Sequence, residues 1–476
     1  MSGSGNWTSQ LLRCKPVTAL VDEHGGGGKA HLERSIGLFQ LTMLGVGATI
    51  GTGIFVALTA AVPEAGPAVV ISFIIAGITA ALTALCYAEI ASTIPVSGSA
   101  YSYAYATLGE FVAYVVGACL LLEYAVSASA IAVGWGQYLN EVFVDVFGWK
   151  MPDAISQPPG AGGYFNLPAI VLVAMCASLL MKGARESTTI NAILVVLKLG
   201  VLALFIIIAF SAFKSENLTP FTPKGWLGVG AAAGTIFFSY IGIDAVSTAG
   251  EEVKNPRRNM PLGIIFSLFL VTVVYVLVAL AGVGAQKWTE FQGQDAGLAV
   301  ILRNITGANW PSLVLSLGAI VSIFSITLVV MYGQTRILFA MSRDGLLPKM
   351  FQKVDPKTMT PVTNTYIVAV FIAFLAALIP LDVLANLTSM GTLIAFSVVS
   401  LGVIILRRTR PDLPRGYSVP LFPFIPIASV LFCLYLITQL PWDTYAMFVV
   451  WIAIALVVYF KYSRKNSLLN QDGGTK

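Results

Sequence analysis

Long apolar runs set the class of this 476-residue chain. Segments such as Ala68–Ile90, Phe111–Val133 and Ile190–Phe213 match or exceed the roughly 20 residues with which a helix crosses lipid. Only 11% of the residues are charged, whereas soluble domains typically carry about 25%. A chain so poor in charge cannot coat a globule of its own size with polar surface. The sequence therefore predicts an all-α polytopic membrane protein.

Twelve transmembrane helices are expected from these runs. Their approximate limits are 38–60, 66–91, 108–138, 166–182, 188–213, 228–249, 260–284, 311–341, 363–380, 383–406, 418–439 and 443–461. Most of the 28 Lys and Arg residues then fall in segments on the same side as the N-terminus, and few fall in the opposite loops. Because positive residues accumulate in cytoplasmic loops, both termini are predicted to be cytoplasmic in a multi-pass protein of the cell membrane.

The segments outside the spans give no sign of processing or metal chemistry. The first 35 residues are polar and include the glycine run Gly25–Gly28, which is typical of a cytoplasmic tail and not of a signal peptide. None of the five cysteines belongs to a CxxC pair, so neither a disulfide framework nor a metal site is expected. The basic residues lie at span ends, where they indicate topology and not nucleic-acid binding.

Two spans contain residues that weaken a helix in mid-membrane. Span 1 contains GVGATIGTG at Gly45–Gly53, and span 6 contains FFSYIGID at Phe237–Asp244. Glycine disfavours a helix interior by about 1 kcal/mol relative to alanine. Unwound backbone at this depth is tolerated only where protein or a water-filled cavity surrounds it. Close helix packing is the competing explanation for a single glycine-rich span, but paired interruptions in two halves favour a transporter binding site.

Breaks in spans 1 and 6 imply two five-span repeats followed by two further helices. The expected organisation is a cytoplasmic tail at 1–35, a first five-helix repeat at 36–213, a second repeat at 214–406, a C-terminal two-helix extension at 407–462 and a cytoplasmic tail at 463–476. The repeat is inferred from the positions of the breaks, since the two halves share no strong residue identity.

Several motifs, in order along the chain, resemble the amino acid–polyamine–organocation superfamily. GVGATIGTGIF followed by PEAGPA is similar to its first-span signature, and FFSYIGIDAVSTAGEEVKNPRRNMP resembles the sixth span and following loop of its cationic amino acid transporter branch. CYAEIASTIPVSGSAYSYAYATLGE, GQTRILFAMSRDGLLP and the C-terminal LPWDTYAMFVVWIAIALVVYFKYSRKNS fit the same branch. The resemblance covers about Leu38 to Ser467. It implies two inverted five-helix repeats, spans 1–5 and 6–10, that work by alternating access, and twelve spans suit the bacterial members.

The resemblance also places a substrate site at the two breaks. The exposed N–H groups and the positive end of the second half-helix of span 1 attract a carboxylate, whereas carbonyls that end a half-helix accept from an ammonium. The residues carried over are Thr49, Ile50, Gly51, Thr52 and Gly53 in span 1, and Phe238, Ser239 and Ile241 in span 6. Asp244, a turn farther on, is expected to cap a half-helix or to face the inner vestibule.

Lys198, in ILVVLKLGVL of span 5, is a cation well inside an apolar run. An ammonium there costs at least about 2.5–3.5 kcal/mol even on insertion scales, so it needs an interior partner or a function. In proton-coupled members of the family that the motifs resemble, a fifth-span lysine bridges the first and eighth spans. Lys198 is therefore predicted to couple proton movement to transport, and a static structural pair is the alternative.

Glu123, in LLEYAV of span 3, is a second charge within a span. Three roles stay open: a proton relay shared with Lys198, neutralisation of a basic substrate side chain, or a protonated, packed carboxyl. Glu89, near the end of span 2, is expected to be interfacial.

Three hydroxyl residues of span 8 lie on or near one helical face. They are Ser322, Ser325 and Thr327. The resemblance makes them candidates to accept from the Lys198 ammonium or to leave room for a substrate side chain. Helix–helix hydrogen bonding explains them equally well.

The leading functional hypothesis is a proton-coupled symporter of L-amino acids, neutral or cationic, that needs no cofactor beyond the proton gradient. A uniporter or exchanger of arginine, lysine and ornithine is the alternative, and a non-transporting amino acid sensor is the rival of another class. An enzyme is not expected, because both histidines lie in the tail and no nucleophile–base pair stands out. The expected partners are the substrate, protons and the lipid bilayer. A small accessory subunit is not readable from the sequence.

Overall fold

The computed structural model describes residues 13–15, 36–94, 99–183, 188–242, 245–248, 252–355, 358 and 360–471. Most of the predicted tail at 1–35 therefore lies outside the described residues, as does Asp244. The described chain is helical throughout and contains no strand ladder. A single isolated parallel bridge joins Ile36 to Val253.

The first five spans run from residue 38 to residue 211. Span 1 is split into Leu38–Thr49 and Thr52–Ala65, and spans 2 to 5 are Val69–Thr93, Glu110–Phe147, Leu167–Met181 and Thr188–Ser211. We call the membrane face at which span 1 begins the N-terminal face, and the other the far face. A separate short helix, Ser99–Thr107, connects spans 2 and 3 at the N-terminal face.

The second five spans repeat this pattern, again with a broken first member. Span 6 comprises Gly225–Ile236, a 3₁₀ turn at Phe237–Tyr240 and Ala245–Thr248, and spans 7 to 10 are Pro256–Ala285, Asn309–Arg343, Val362–Leu378 and Leu381–Thr409. Spans 11 and 12 are Phe424–Thr438 and Trp442–Val458. An all-α polytopic fold with interrupted spans 1 and 6 is thus confirmed.

Packing places the two broken spans inside the bundle. Span 7 lies against span 2 and the first half of span 1, while span 3 lies against spans 8 and 10. Span 12 is peripheral, because only 11% of its apolar window is buried. The substrate-site residues predicted above therefore lie within the first ten spans.

Span 3 is longer than its apolar run indicated, since it continues to Phe147 and not to about residue 138. The extra turns carry Glu141 and Asp145, which both pair with Arg303 of the far-face helix Gly297–Thr306. An ion pair between distant parts of the chain thus supports helix where hydropathy alone ends it.

Candidate functional site at the paired helix breaks

The break in span 1 is two residues long. Its first half-helix ends at Thr49, Ile50 is extended with φ −74° and ψ 90°, and the second half-helix starts at Thr52 after Gly51. A β-carbon on Gly51 would overlap the Ile326 side chain of span 8, and one on Gly53 would overlap the Cα atom of Ser239. Glycine at these positions therefore lets spans 6 and 8 approach the break closely.

The break in span 6 lies beside it. The α-helix ends at Ile236, the 3₁₀ turn follows, and Ile241 is extended with φ −67° and ψ 145°. Gly242 has a φ of 102°, in the left-handed region that favours glycine. A β-carbon there would overlap the carbonyl oxygen of Ala48 in span 1. The break in span 6 therefore packs directly on the end of the first half-helix of span 1.

Tyr275 of span 7 connects the two breaks. Its hydroxyl lies 2.8 Å from the Thr49 carbonyl oxygen and 2.9 Å from that of Ser239, and its side chain is fully buried. The hydroxyl has one proton, so it donates to one carbonyl at a time or shares the proton between them. Tyr275 thereby fixes the spacing of two carbonyls that end broken half-helices. Its hydroxyl within the apolar run VTVVYVLVAL was the only sequence signal for it.

Lys198 contacts the end of the first half-helix of span 1. Its side chain is 1% exposed, and the ammonium donates to the Gly47 carbonyl oxygen over 3.0 Å. The last four carbonyls of an α-helix have no helical donor of the usual kind. Here the Ile50 N–H donates to the Val46 carbonyl, the Lys198 ammonium donates to that of Gly47, and the Tyr275 hydroxyl lies within hydrogen-bond distance of that of Thr49. Two side chains from spans 5 and 7 therefore cap the interrupted end of span 1.

Glu123 lies against a different span. It is buried, and its Cβ atom is 3.5 Å from a β-carbon placed on Gly391 of span 10. Lys198, by contrast, contacts span 1 at Gly47. Glu123 thus lies where span 3 packs on span 10, and Lys198 lies where span 5 packs on span 1.

The predicted span 8 hydroxyls are all buried. The Thr327 hydroxyl donates to the Ile323 carbonyl of its own helix, which is the helix-internal alternative. Ser322 has no hydrogen-bond partner for its hydroxyl among the described residues. Ile326, which no sequence pattern marks as a site residue, supplies the span 8 side chain that lies against Gly51.

The walls near the breaks are mainly apolar. Ile50, Phe238 and Ile326 are buried, and Ile241 is partly buried. The Ser239 hydroxyl is buried without a hydrogen-bond partner in the described part of the chain. Hydrocarbon walls around backbone polar groups are typical of sites for small molecules with an apolar portion.

A polar cluster lies at the far face. Both Asp295 carboxylate oxygens accept hydrogen bonds, from Gln137 over 2.9 Å and from Gln157 over 2.8 Å. Burial raises the pKa of Asp295, and the nearby Lys150 ammonium partly opposes that rise. The cluster joins the far end of span 3 to the loops on that side.

Comparison with known proteins identifies the family of the chain. A family model described as amino acid permease matches residues 36–465. The chain is 46% identical to the branched-chain amino acid permease BcaP of Bacillus subtilis (strain 168) over 465 residues, which is 97% of this chain and 99% of that protein. It is 44% identical to a methylthioribose transporter of the same organism, over 97% of this chain and all of that protein. It is 36% identical to the vacuolar cationic amino acid transporter 4 of Arabidopsis thaliana, over 85% of this chain and 68% of that protein.

Proposed function

The chain belongs to the amino acid permease family, and we propose that it is a proton-coupled symporter of L-amino acids that works by alternating access. The contact between the Lys198 ammonium and the Gly47 carbonyl carries this proposal. A protonated lysine stabilises the negative end of the half-helix dipole, whereas a neutral amine does so far less. The protonation state of Lys198 is thereby linked to the stability of the break that holds the substrate.

We propose that the unwound backbone binds the zwitterionic part of the substrate. The second half-helix of span 1 starts at Thr52, so its free N–H groups and positive dipole end suit a carboxylate. Carbonyls of the span 6 turn, at Phe238 and beyond, suit an ammonium. Tyr275 already engages the Thr49 and Ser239 carbonyls. It therefore acts by holding the two breaks in place for the substrate.

The favoured substrates are neutral and aliphatic, from alanine to the branched-chain amino acids. The apolar walls formed by Ile50, Phe238 and Ile326 support this preference, because burying a hydrocarbon side chain there is favourable at about 25 cal/mol per Å². The similarity to a protein named as a branched-chain amino acid permease agrees with it.

Cationic amino acids, taken by a uniporter or exchanger, are the second candidate. The buried Glu123 carboxyl and the relatives named as cationic amino acid transporters support it. Methylthioribose has neither a carboxylate nor an ammonium, so the two breaks are not expected to bind it. It therefore serves as a negative control among the substrates tested.

We place the N-terminal face in the cytoplasm and the protein in the cell membrane, on the distribution of Lys and Arg.

The deciding experiment uses purified protein in liposomes. Uptake of labelled leucine, alanine, arginine and methylthioribose is measured under an inward pH gradient, an inward sodium gradient, or neither. We expect leucine and alanine to accumulate under the pH gradient without sodium. Accumulation driven only by sodium would overturn proton coupling, and binding without uptake of any compound would identify a sensor. Preferential uptake of arginine would replace the neutral substrate class by the cationic one.

A further inference from the structure

The N-terminal face carries cations that have no acidic partner. Two lie at the end of span 10 and directly after it, and three lie just before span 7 and in its first turn. They are Arg408, Arg410, Lys254, Arg257 and Arg258, and all five are exposed. None of them forms an ion pair with an acidic residue in the described part of the chain. We call this group the basic rim.

Among the described residues, two neighbouring arginines, unlike those of the basic rim, form ion pairs with an acidic residue. The cations of the basic rim are therefore a distinct group. Arg407 and Arg415 both pair with the buried carboxylate of Glu89 in span 2, and the Nε atom of Arg407 lies 2.7 Å from it. The Val419 N–H also donates to Glu89 over 2.7 Å, and the Tyr417 N–H donates to Ser92 over 3.1 Å. Near the end of span 2, Glu89 is thus buried in an ion pair with the end of span 10 and the loop after it. It anchors the loop that follows span 10, directly after Arg408 and Arg410.

The two segments of the basic rim form one surface. A β-carbon placed on Gly416, in the anchored loop, would lie 2.5 Å from the Cβ atom of Arg257 and 2.6 Å from its Cα atom. The backbone of one segment is thus packed directly on the other. Cations from both segments therefore face the same region of the membrane boundary.

Exposed apolar side chains lie farther along the chain from both parts of the basic rim. Leu421, just before span 11, and Phe424, its first residue, are 74% and 73% exposed. Phe266 and Phe269, early in span 7, are exposed as well. Both spans start at the N-terminal face, so hydrocarbon surface lies on the lipid side of the cations. A phospholipid with an anionic headgroup has the complementary arrangement of charge and hydrocarbon.

We propose that the basic rim is a binding site for anionic phospholipid of the leaflet at the N-terminal face, and that occupancy favours transport. Guanidinium groups of Arg257, Arg258, Arg408 and Arg410 would bind the headgroup phosphate. The part of the basic rim that precedes span 7 is hydrogen-bonded to the residue before span 1. The Ile36 N–H donates to the Glu252 carbonyl, and the Lys254 N–H donates to the Ile36 carbonyl. The start of span 1 is thus tied to the segment that binds the lipid.

Binding is tested apart from transport. The protein is reconstituted in phosphatidylcholine vesicles, and the association of spin-labelled phosphatidylglycerol is compared with that of spin-labelled phosphatidylcholine. We expect the wild type to prefer phosphatidylglycerol, and the variant Arg257→Gln/Arg258→Gln/Arg408→Gln/Arg410→Gln to lose that preference by about fivefold or more. Excess inorganic phosphate should not abolish the preference. Equal preference in the wild type and the variant, or full displacement by phosphate, would overturn the lipid site.

The control removes four exposed lysines elsewhere on the same face. These are Lys182, Lys349, Lys353 and Lys465. Their replacement by glutamine should leave the lipid preference unchanged. If this variant lost the preference for phosphatidylglycerol as strongly as the arginine variant, the binding would be a non-specific effect of charge.

Uptake is then compared in vesicles with and without phosphatidylglycerol. Stimulation of the wild type but not of the arginine variant is expected, and identical stimulation of both would refute the effect on transport. This readout rests on the proposed function, whereas the spin-label result does not.

Discussion

The ammonium of Lys198 lies 3.0 Å from the carbonyl oxygen of Gly47, and with this contact span 5 caps the helix of span 1 that ends in mid-membrane. Gly47 lies two residues before the last residue of that helix, so the next turn provides no backbone donor for it. The cation also complements the negative end of the helix dipole. Since only the protonated side chain supplies both effects, loss of the proton weakens the cap where the substrate is proposed to bind.

Replacing Lys198 by alanine should yield a folded protein that no longer accumulates substrate under a pH gradient. The Gly47 carbonyl loses its donor at a cost of about 1–3 kcal/mol, which a bundle of this size tolerates. Uptake into liposomes with and without an acid exterior measures the effect, and exchange of labelled for unlabelled substrate shows whether the site still operates. Lys182→Ala, at an exposed position, is the control. Full pH-driven accumulation by Lys198→Ala would remove the assigned role.

Replacing Tyr275 by phenylalanine keeps the ring but removes the hydroxyl shared by two carbonyls. Leaving buried acceptors unsatisfied costs about 1–3 kcal/mol, and about 1.4 kcal/mol corresponds to a factor of ten. We expect the KM of uptake to rise about tenfold, with a smaller change in the maximum rate, because Tyr275 positions the site without moving through the cycle. Tyr366→Phe, at an exposed site in span 9, should change neither value. An unaltered KM in Tyr275→Phe would show that the shared hydroxyl does not position the site.

The breaks were predictable from the sequence because their causes are local. Glycines in Gly45–Gly53 weaken the helix of span 1, and Gly242 adopts a backbone conformation that other residues avoid. The tyrosine and isoleucine that complete the site were not found. Tyr275 and Ile326 each lie within apolar runs and look like ordinary core residues. Their contacts with Thr49 and Gly51 depend on how distant helices pack.

The partners of charged residues near span ends are hidden from local sequence for a related reason. The position of Glu89 near the end of span 2 predicts an interfacial residue, but its partners, Arg407 and Arg415, lie more than three hundred residues away. Hydropathy likewise ended span 3 early, because the pairing of Arg303 with Glu141 is not visible in local sequence. Long-range pairing of charges, and not local preference, decides these details.

Replacing Glu89 by glutamine should destabilise the protein without altering its substrate site. The substitution leaves Arg407 and Arg415 without a carboxylate. Both side chains keep some contact with solvent, at 20% and 15% exposure, so we expect a loss of about 1–3 kcal/mol and not the larger cost of a fully buried pair. Thermal unfolding of the purified protein measures it, and Glu290→Gln, at an exposed site, is the control. Equal unfolding temperatures for the wild type and Glu89→Gln would contradict the anchoring role.

Replacing Gly53 by alanine tests the close approach of the two breaks. The added methyl group would overlap the Ser239 Cα atom and lie 2.8 Å from both the Cβ and Oγ atoms of that residue. Backbone atoms cannot rotate aside as a flexible side chain does, so the breaks must separate, at a cost of about 1–3 kcal/mol. We expect weaker substrate binding and a lower unfolding temperature.

Gly200→Ala is the matched control for that substitution, because a β-carbon on Gly200 of span 5 has no neighbour within 4 Å. Alanine there should keep or raise stability, since it favours helix over glycine by about 1 kcal/mol. The affinity for leucine of each purified variant is measured by calorimetry, and the two affinities are compared. If Gly53→Ala binds leucine as tightly as Gly200→Ala does, the close contact of Gly53 with Ser239 is not needed for substrate binding.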